Sequence, residues 1–387
     1  MGSRLPGLVT RDGERKVRVM RGLELTLRQT ALALVGLLFL FALPDIARLS
    51  PSIQLSVLHQ GIVFGLAAVG LNLLVRHTQL VSFGHAAFFG TGAYTTAVLA
   101  AKYDVTEFAL LLLASMLLAT LMAMLIGFLS LRHTGLYFSL LTLAFGQLLY
   151  ALVQGQSFFG SSDGLPVRPG PNMRPDVFGL GLPPDAYSVL LFYLTVILSV
   201  LGLLVMWRII HSPFGAALDA IGQDRTRAKF IGIPVRRYVW LAFVISAVYG
   251  GMAGALYAMV QQHVRPGPVL YFLRSGDILF MAILGGYQTL LGPLVGGIVL
   301  VLLQDVGRDL TNYFDALTGL VLLALVFGFP QGIVGSLKQG GRVREAAASF
   351  KDDPAVVGSW LSSFAESLVT AASRSVQNVK VLVFGVK

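Results

Sequence analysis

The chain has 387 residues, of which 55% are hydrophobic and only 12% charged, and it contains no cysteine. A soluble domain carries about a quarter charged residues, so this much apolar surface cannot be hidden in a globular core. The lack of cysteine excludes disulfide frameworks, thiolate nucleophiles and Cys-based metal sites. The composition predicts a chain solvated by lipid. The formal net charge of +10 then requires nucleic acid, anionic lipid or membrane topology as its cause.

Apolar runs of about 20 residues are long enough to cross a bilayer. The candidate runs are 30–49, 53–75, 88–101, 107–131, 135–154, 187–207, 238–260, 276–304 and 316–337. The short 88–101 run follows Gly-rich chain, which allows a re-entrant segment, and glycine pairs allow the long 276–304 run to break into two half-spans. We expect an all-α, polytopic integral membrane protein with about 8–10 transmembrane helices, some of them broken or re-entrant.

Charge placement divides the chain into an N-terminal segment (1–29), a membrane domain (30–337) and a tail (338–387). With the first and last of these in the cytoplasm, and the 276–304 run counted as two passes, the inner side carries a net charge of +13 and the outer side −3. This is the positive-inside pattern, so topology explains the basic excess and we expect no nucleic-acid partner. Apolar residues at helical spacing in the tail favour an amphipathic helix on the inner leaflet, with a disordered extension as the alternative.

Two long loops are expected to do more than connect spans. The outer loop, 155–186, holds six prolines and predicts a stiff, irregular cap that could meet an external partner. The inner loop, 212–237, begins with Ser212-Pro213, a good helix start, and its Gly232 predicts the end of a second short helix. A helix–turn–helix of this kind suits docking into a groove of another protein.

The chemistry of an enzyme or an ion-coupled carrier is missing from the sequence. There is no phosphate-binding G-x-x-x-x-G-K-[ST] loop, no H-E-x-x-H pair, and no His with a metal-ligand spacing to an acid. We also place no Asp or Glu well inside a span, where coupled carriers usually need one. We therefore expect a non-catalytic transport subunit without its own metal or cofactor, driven by a partner.

Several stretches resemble the membrane subunits of bacterial ABC importers for branched-chain amino acids and related compounds, and most closely the second of their two permease subunits. In chain order, the matching stretches are Leu80-Val81-Ser82-Phe83-Gly84-His85-Ala86 with Gly92-Ala93-Tyr94, Gly135-Leu136-Tyr137-Phe138 with Leu141-Thr142-Leu143-Ala144, Gly160-Ser161-Ser162-Asp163-Gly164-Leu165, Ser212-Pro213-Phe214-Gly215, Leu241-Ala242-Phe243-Val244, Leu284-Gly285-Gly286 with Gly292-Pro293, and Phe329-Pro330-Gln331-Gly332. The likeness covers roughly residues 30–337 in the right order.

The resemblance implies an importer subunit in the bacterial inner membrane. Its partners would be a homologous second permease, two ATP-binding subunits that hold the ATP, a periplasmic or extracellular solute-binding protein, and the lipid bilayer. Branched-chain or related amino acids are the implied solutes. Urea, short amides and aromatic or carboxylic acids remain alternatives within the same mechanism, and a standalone carrier or channel is the alternative of another class.

The resemblance also implies that the inner loop couples to the ATPase. The coupling residues would be Ser212, Pro213, Phe214, Gly215, Ala228 and Gly232. Importers commonly carry Glu-Ala-Ala-x-x-x-Gly in this loop, and here Thr226 and Arg227 stand in place of the first two residues.

Six residues are candidates for the solute pathway: Ser82, Gly84, His85, Tyr137, Thr142 and Asp277. For His85 the alternative is a structural bond to a freed carbonyl, and for Asp277 it is a helix cap at an outer span end. The Gly250-Gly251-x-x-Gly254 pattern predicts close helix packing.

Overall fold

The computed structural model describes residues 8–11, 14–20, 23–26, 55–133, 135–167, 184–310, 316, 318–323 and 331–338. Its helices are α1 (Leu55–Thr78), α2 (His85–Lys102), α3 (Phe108–Ser130), α4 (Leu136–Gly155), α5 (Pro184–Ile210), α6 (Pro213–Gln223), α7 (Arg225–Phe230), α8 (Val235–Gln261), α9 (Pro266–Leu270), α10 (Phe272–Gly285), α11 (Gly292–Leu310) and α12 (Gly332–Lys338). The predicted first span, half of the proline-rich outer loop, part of the predicted last span and nearly all of the tail lie outside the described residues.

The predicted all-α membrane architecture is confirmed. Among the described residues, α1, α3, α4, α5 and α8 are each long and apolar enough to cross a membrane. The helices α1 and α8 form the centre, since α8 packs against α1, α2 and α3, while α1 also contacts α10 and α11. On α3, by contrast, Leu113, Leu117 and Leu121 are exposed, as expected of a helix that faces lipid.

Glycines allow α2 and α8 to approach until their backbones touch. A Cβ added to Gly92 would overlap the backbone of Gly251, and one added to Gly254 would overlap the carbonyl of Phe89. Small residues at such crossings are how helices associate in lipid, where apolar burial gives no advantage. The packing predicted for the 250–254 glycines is therefore present.

The 276–304 run is broken as the glycine pairs predicted. Helix α10 ends at Gly285 and α11 begins at Gly292. The two helices are antiparallel, because Gly285 lies against Gly292 and Gly296 lies against Met281. The run thus forms a hairpin of two helices, in agreement with the two passes assumed when the charges were assigned to the inner and outer sides.

The chain between α8 and α10 folds back into the membrane domain. Strand β5 (His263–Val264) pairs antiparallel with β4 (Leu165–Pro166), and α9 follows directly. A Cβ on Gly90 would overlap the side chain of Leu270, so the end of α9 lies beside the first half of α2. Helix α10 therefore begins inside the domain rather than at its surface.

The N-terminal segment contains a small sheet that the sequence reading did not predict. Strands β1 (Leu8–Arg11), β2 (Glu14–Met20) and β3 (Leu23–Thr26) form antiparallel pairs in the order β1-β2-β3. The register shifts between Arg18 and Met20. Charged and apolar residues alternate over Lys16-Val17-Arg18-Val19 of β2, which is the pattern of a strand with two different faces.

Candidate functional site

The predicted inner loop forms two short helices whose N-termini are capped by side chains. The Ser212 hydroxyl accepts from the Gly215 amide at 3.4 Å, and Pro213 occupies the first turn of α6. The Asp224 carboxylate accepts from the amides of Thr226 and Arg227, and so caps α7. Gly232 has a φ of +87°, a left-handed conformation that only glycine adopts without strain. The segment 212–232 thus forms the two short helices that the spacing predicted, and it is here called the coupling segment after the role that the resemblance implies.

The coupling segment is fastened to the end of α1. The buried His77 ring bonds to the Asp219 carboxylate of α6. The Arg225 guanidinium donates to the Thr78 carbonyl at 3.2 Å, and burial lowers the pKa of Arg225 from its usual value. The end of the molecule that carries the coupling segment is called the coupling end below, and the opposite end is the distal end.

A second attachment joins the coupling segment to α8. The rings of Phe214 and Tyr238 stack at 5.4 Å with an interplanar angle of 18°. Because α1 and α8 are also the central helices of the membrane domain, a displacement of the coupling segment reaches the centre of the bundle directly.

The coupling segment exposes different residues from those the resemblance singled out. Ala228 is buried, whereas its neighbours Phe230 and Ile231 are 86% and 74% exposed. Arg227 and Lys229 are exposed beside them. An apolar pair ringed by cations is a surface that a partner with an acidic rim would cover. The sequence analysis did not select this surface, although Phe230 and Ile231 are two adjacent apolar residues in a basic loop.

Four of the six pathway candidates come together where α2 begins. The Ser139 hydroxyl of α4 donates to the Val81 carbonyl at 2.6 Å, and Gly84 lies against the backbone and side chain of Thr142. The Gly84 amide in turn donates to the Ser82 hydroxyl at 3.3 Å. The broken chain between α1 and α2 is thus covered by α4, as membrane burial of a broken helix requires.

His85 is fully enclosed by the membrane domain. Its Nε2 lies 2.6 Å from the Ser246 hydroxyl of α8, and its ring meets the edges or faces of Phe88 and Phe243. Its Nδ1 is buried without a hydrogen-bond partner. The structural alternative for His85 expected a bond to a freed carbonyl, whereas the ring bonds to a side-chain hydroxyl of α8.

The other two candidates lie apart from this cluster. Tyr137 is 75% exposed on the outside of α4. Asp277 lies in the second turn of α10, whose cap position is Tyr271, so the helix-cap alternative is wrong. Its carboxylate pairs instead with Arg274 at 3.0 Å, a residue that the sequence reading did not select.

No three His, Asp or Glu side chains lie close enough to hold a metal ion in the part of the chain that the structure describes.

Comparison with known proteins agrees with this architecture. Residues 53–328 match the model of the family described as branched-chain amino acid transport system / permease component. The permease protein LivM of the high-affinity branched-chain amino acid transport system of Escherichia coli K12 is 28% identical over 303 residues, which cover 74% of this chain and 71% of that protein. No solved structure matches the chain significantly.

Two further relatives extend the comparison. The permease protein BraD of Pseudomonas aeruginosa, from a system of the same description, is 25% identical over 71% of this chain and 92% of its own length. The permease protein LivH of Escherichia coli K12 is 27% identical over 145 residues, which cover 37% of this chain and 46% of LivH. LivM and LivH, both named as permease proteins of such a system, are therefore similar to this chain, LivM over the longer stretch.

Proposed function

We propose, from the premise that the chain belongs to the family of branched-chain amino acid transport permeases, that it is one membrane subunit of an ATP-driven importer in a bacterial inner membrane. It pairs with a homologous second permease. Two partner subunits bind and hydrolyse ATP, and an external binding protein delivers the solute. The names of its relatives support branched-chain or related amino acids as the solutes.

The observation that carries this proposal is the coupling segment. It projects an apolar pair, Phe230 and Ile231, from a short helix that is fixed to both central helices. A standalone carrier or channel would have no use for an exposed apolar pair at the end of a braced loop, because exposed apolar patches mark interaction sites. ATP binding in the partner would move this segment, and α1 and α8 would follow, so that the pathway alternates between its two sides.

The pathway in this proposal passes the broken chain at the start of α2. Ser82, Gly84, His85 and Thr142 lie at that junction, and Asp277 lies on the neighbouring helix α10. Tyr137 faces away from them and is better placed to meet lipid or the second permease.

Co-purification tests the docking surface. We expect Phe230→Asp to abolish co-purification of the ATPase subunit with this chain, because it places a charge at the centre of the apolar contact, where truncating a buried anchor typically costs 2 kcal/mol or more. Gln223→Asp is the matched control, since Gln223 is exposed on the same segment and the charge added is the same. Unchanged co-purification of Phe230→Asp would place the docking surface elsewhere.

A further inference from the structure

The Arg274–Asp277 pair lies near the middle of the membrane domain. The Ser275 hydroxyl, between the two, accepts from the Ala86 amide at 2.8 Å, so the first turns of α10 and α2 are level. His85, in that turn of α2, bonds to Ser246. Ser246 follows Val235 by eleven residues, so it lies about 16 Å from the coupling end of α8, which is roughly 40 Å long.

A second contact also places the pair well inside the domain. The Arg274 guanidinium lies 4.7 Å from the centre of the Phe64 ring. Phe64 is the tenth residue of α1, about 13 Å from its distal end and about 21 Å from its coupling end. The sequence reading placed Asp277 at an outer span end and so missed a mid-membrane charge, because the re-entrant α9 cannot be recognised from hydropathy.

The pair has well-defined contacts. Arg274 donates from Nε to the Pro268 carbonyl at 2.7 Å and from a terminal nitrogen to the Asp277 carboxylate at 3.0 Å. The rings of Phe89 and Tyr257 stand beside that of Phe64. The two charges are thus held against an apolar wall.

The pair is nevertheless open on one side. The Arg274 and Asp277 side chains are 18% and 27% exposed, and a Cβ at Gly276 would meet nothing within 4 Å. Leu273 and Phe280 are exposed on the same face of α10, one turn on either side. Hydrocarbon lipid cannot cover this face, because charged side chains at that depth face protein or a water-filled path.

The arrangement favours one class of solute. A zwitterionic α-amino acid carries a carboxylate and an ammonium group close together, so it can contact Arg274 and Asp277 at once and leave no charge unpaired. A solute with a single charge would leave one member of the pair uncompensated in a low dielectric, which is costly. A neutral amide would gain neither contact. Leu273, Phe280 and the Phe64 ring suit an apolar side chain.

We infer that Arg274 and Asp277, on the open face of α10 beside Gly276, form a mid-membrane contact site for the carboxylate and ammonium groups of an apolar amino acid. This inference rests on the proposed function, since it takes the chain to be an import pathway. It selects zwitterions over the urea, amide and carboxylic-acid alternatives.

Uptake of leucine by the complete transporter in proteoliposomes tests the site. The decisive variant is the double change Arg274→Gln with Asp277→Asn, which removes both charges and leaves neither unpaired. We expect the complex to assemble and its ATP hydrolysis to be stimulated by leucine-loaded binding protein. Leucine import should fall by about tenfold or more, in keeping with the cost of losing charge partners at a desolvated contact.

The matched control is Arg132→Gln with Asp104→Asn. Arg132 also lies over a phenylalanine ring, that of Phe128, and Asp104 is exposed in the turn after α2. Wild-type import by the Arg274/Asp277 variant would overturn the inference. An equal fall in assembly and ATP hydrolysis would also overturn it, because the pair would then be structural.

A second variant closes the open side without touching a charge. Gly276→Leu fills space that is empty in the structure, so the fold should hold while leucine import falls by about tenfold. Gly155→Leu is the control, since Gly155 also has no atom within 4 Å of an added Cβ and lies at the distal end of α4. Normal import by Gly276→Leu would contradict the site. If the wild-type transporter itself imported no leucine with ATP, the proposed function would fail instead.

Discussion

His77 and Asp219 lie 142 positions apart in the chain, yet their side chains meet at the coupling end. Neither was a candidate from the sequence, because a lone histidine at a helix end and a lone acid in a loop have no local pattern that pairs them. Ala228 and Asp277 were candidates from the sequence, but their surroundings were not predicted. The burial of Ala228 and the mid-membrane depth of Asp277 depend on packing between elements, which the spacing of residues does not encode.

The His77–Asp219 contact predicts that the coupling segment loosens when it is broken. A hydrogen bond to a charged group contributes about 1.5–3 kcal/mol, and we expect the low end here, since Asp219 is half exposed. Asp219→Ala should therefore speed hydrogen exchange of the α6 amides by about tenfold.

The control for that measurement is Gln223→Ala, which changes an exposed residue of the same helix. Exchange in α3, which does not pack extensively against α6, should not change. Equal exchange rates for the α6 amides in Asp219→Ala and the parent chain would show that the contact does not hold the segment.

At the scale of elements, the residues that start and end helices predicted more of the structure than the hydropathy of the sequence did. Ser212-Pro213 and Gly232 marked the coupling segment, and Gly285-Gly286 with Gly292-Pro293 marked the α10–α11 hairpin, because these residues act through their own backbone. The re-entrant α9 and the strand pair β4–β5 were not predicted. Their positions depend on contacts with α2 that are distant in sequence.

The close crossing of α2 and α8 makes a prediction about stability. Gly92→Val would drive a side chain into the backbone of Gly251, and overpacking of this kind costs about 1–3 kcal/mol. We expect a lower thermal unfolding midpoint in detergent. Gly155→Val, with open space around it, should unfold at the parent temperature, and equal midpoints for the two variants would mean that the helices do not cross so closely.

At the scale of the whole molecule, composition and charge were sufficient to predict a polytopic α-helical membrane protein. In lipid every span must be apolar and must satisfy its own backbone hydrogen bonds, which a helix does. The comparisons then place it in a permease family. The sequence predicted dependence on partners partly from the lack of an acid inside a span, and the depth of Asp277 removes that reason. The exposed apolar pair Phe230 and Ile231 now carries the proposal of a partner. The solute could not be predicted from composition, since only the fold brings Arg274 and Asp277 to an open face inside the membrane.

Leucine uptake into proteoliposomes, measured with and without ATP, tests most directly whether this chain is a partner-driven permease. The chain reconstituted with the second permease, the ATPase subunits and leucine-loaded binding protein should accumulate leucine only when ATP is supplied. The chain alone should accumulate none. Uptake by the chain alone, without ATP or partners, would contradict the account and make it a standalone carrier or channel.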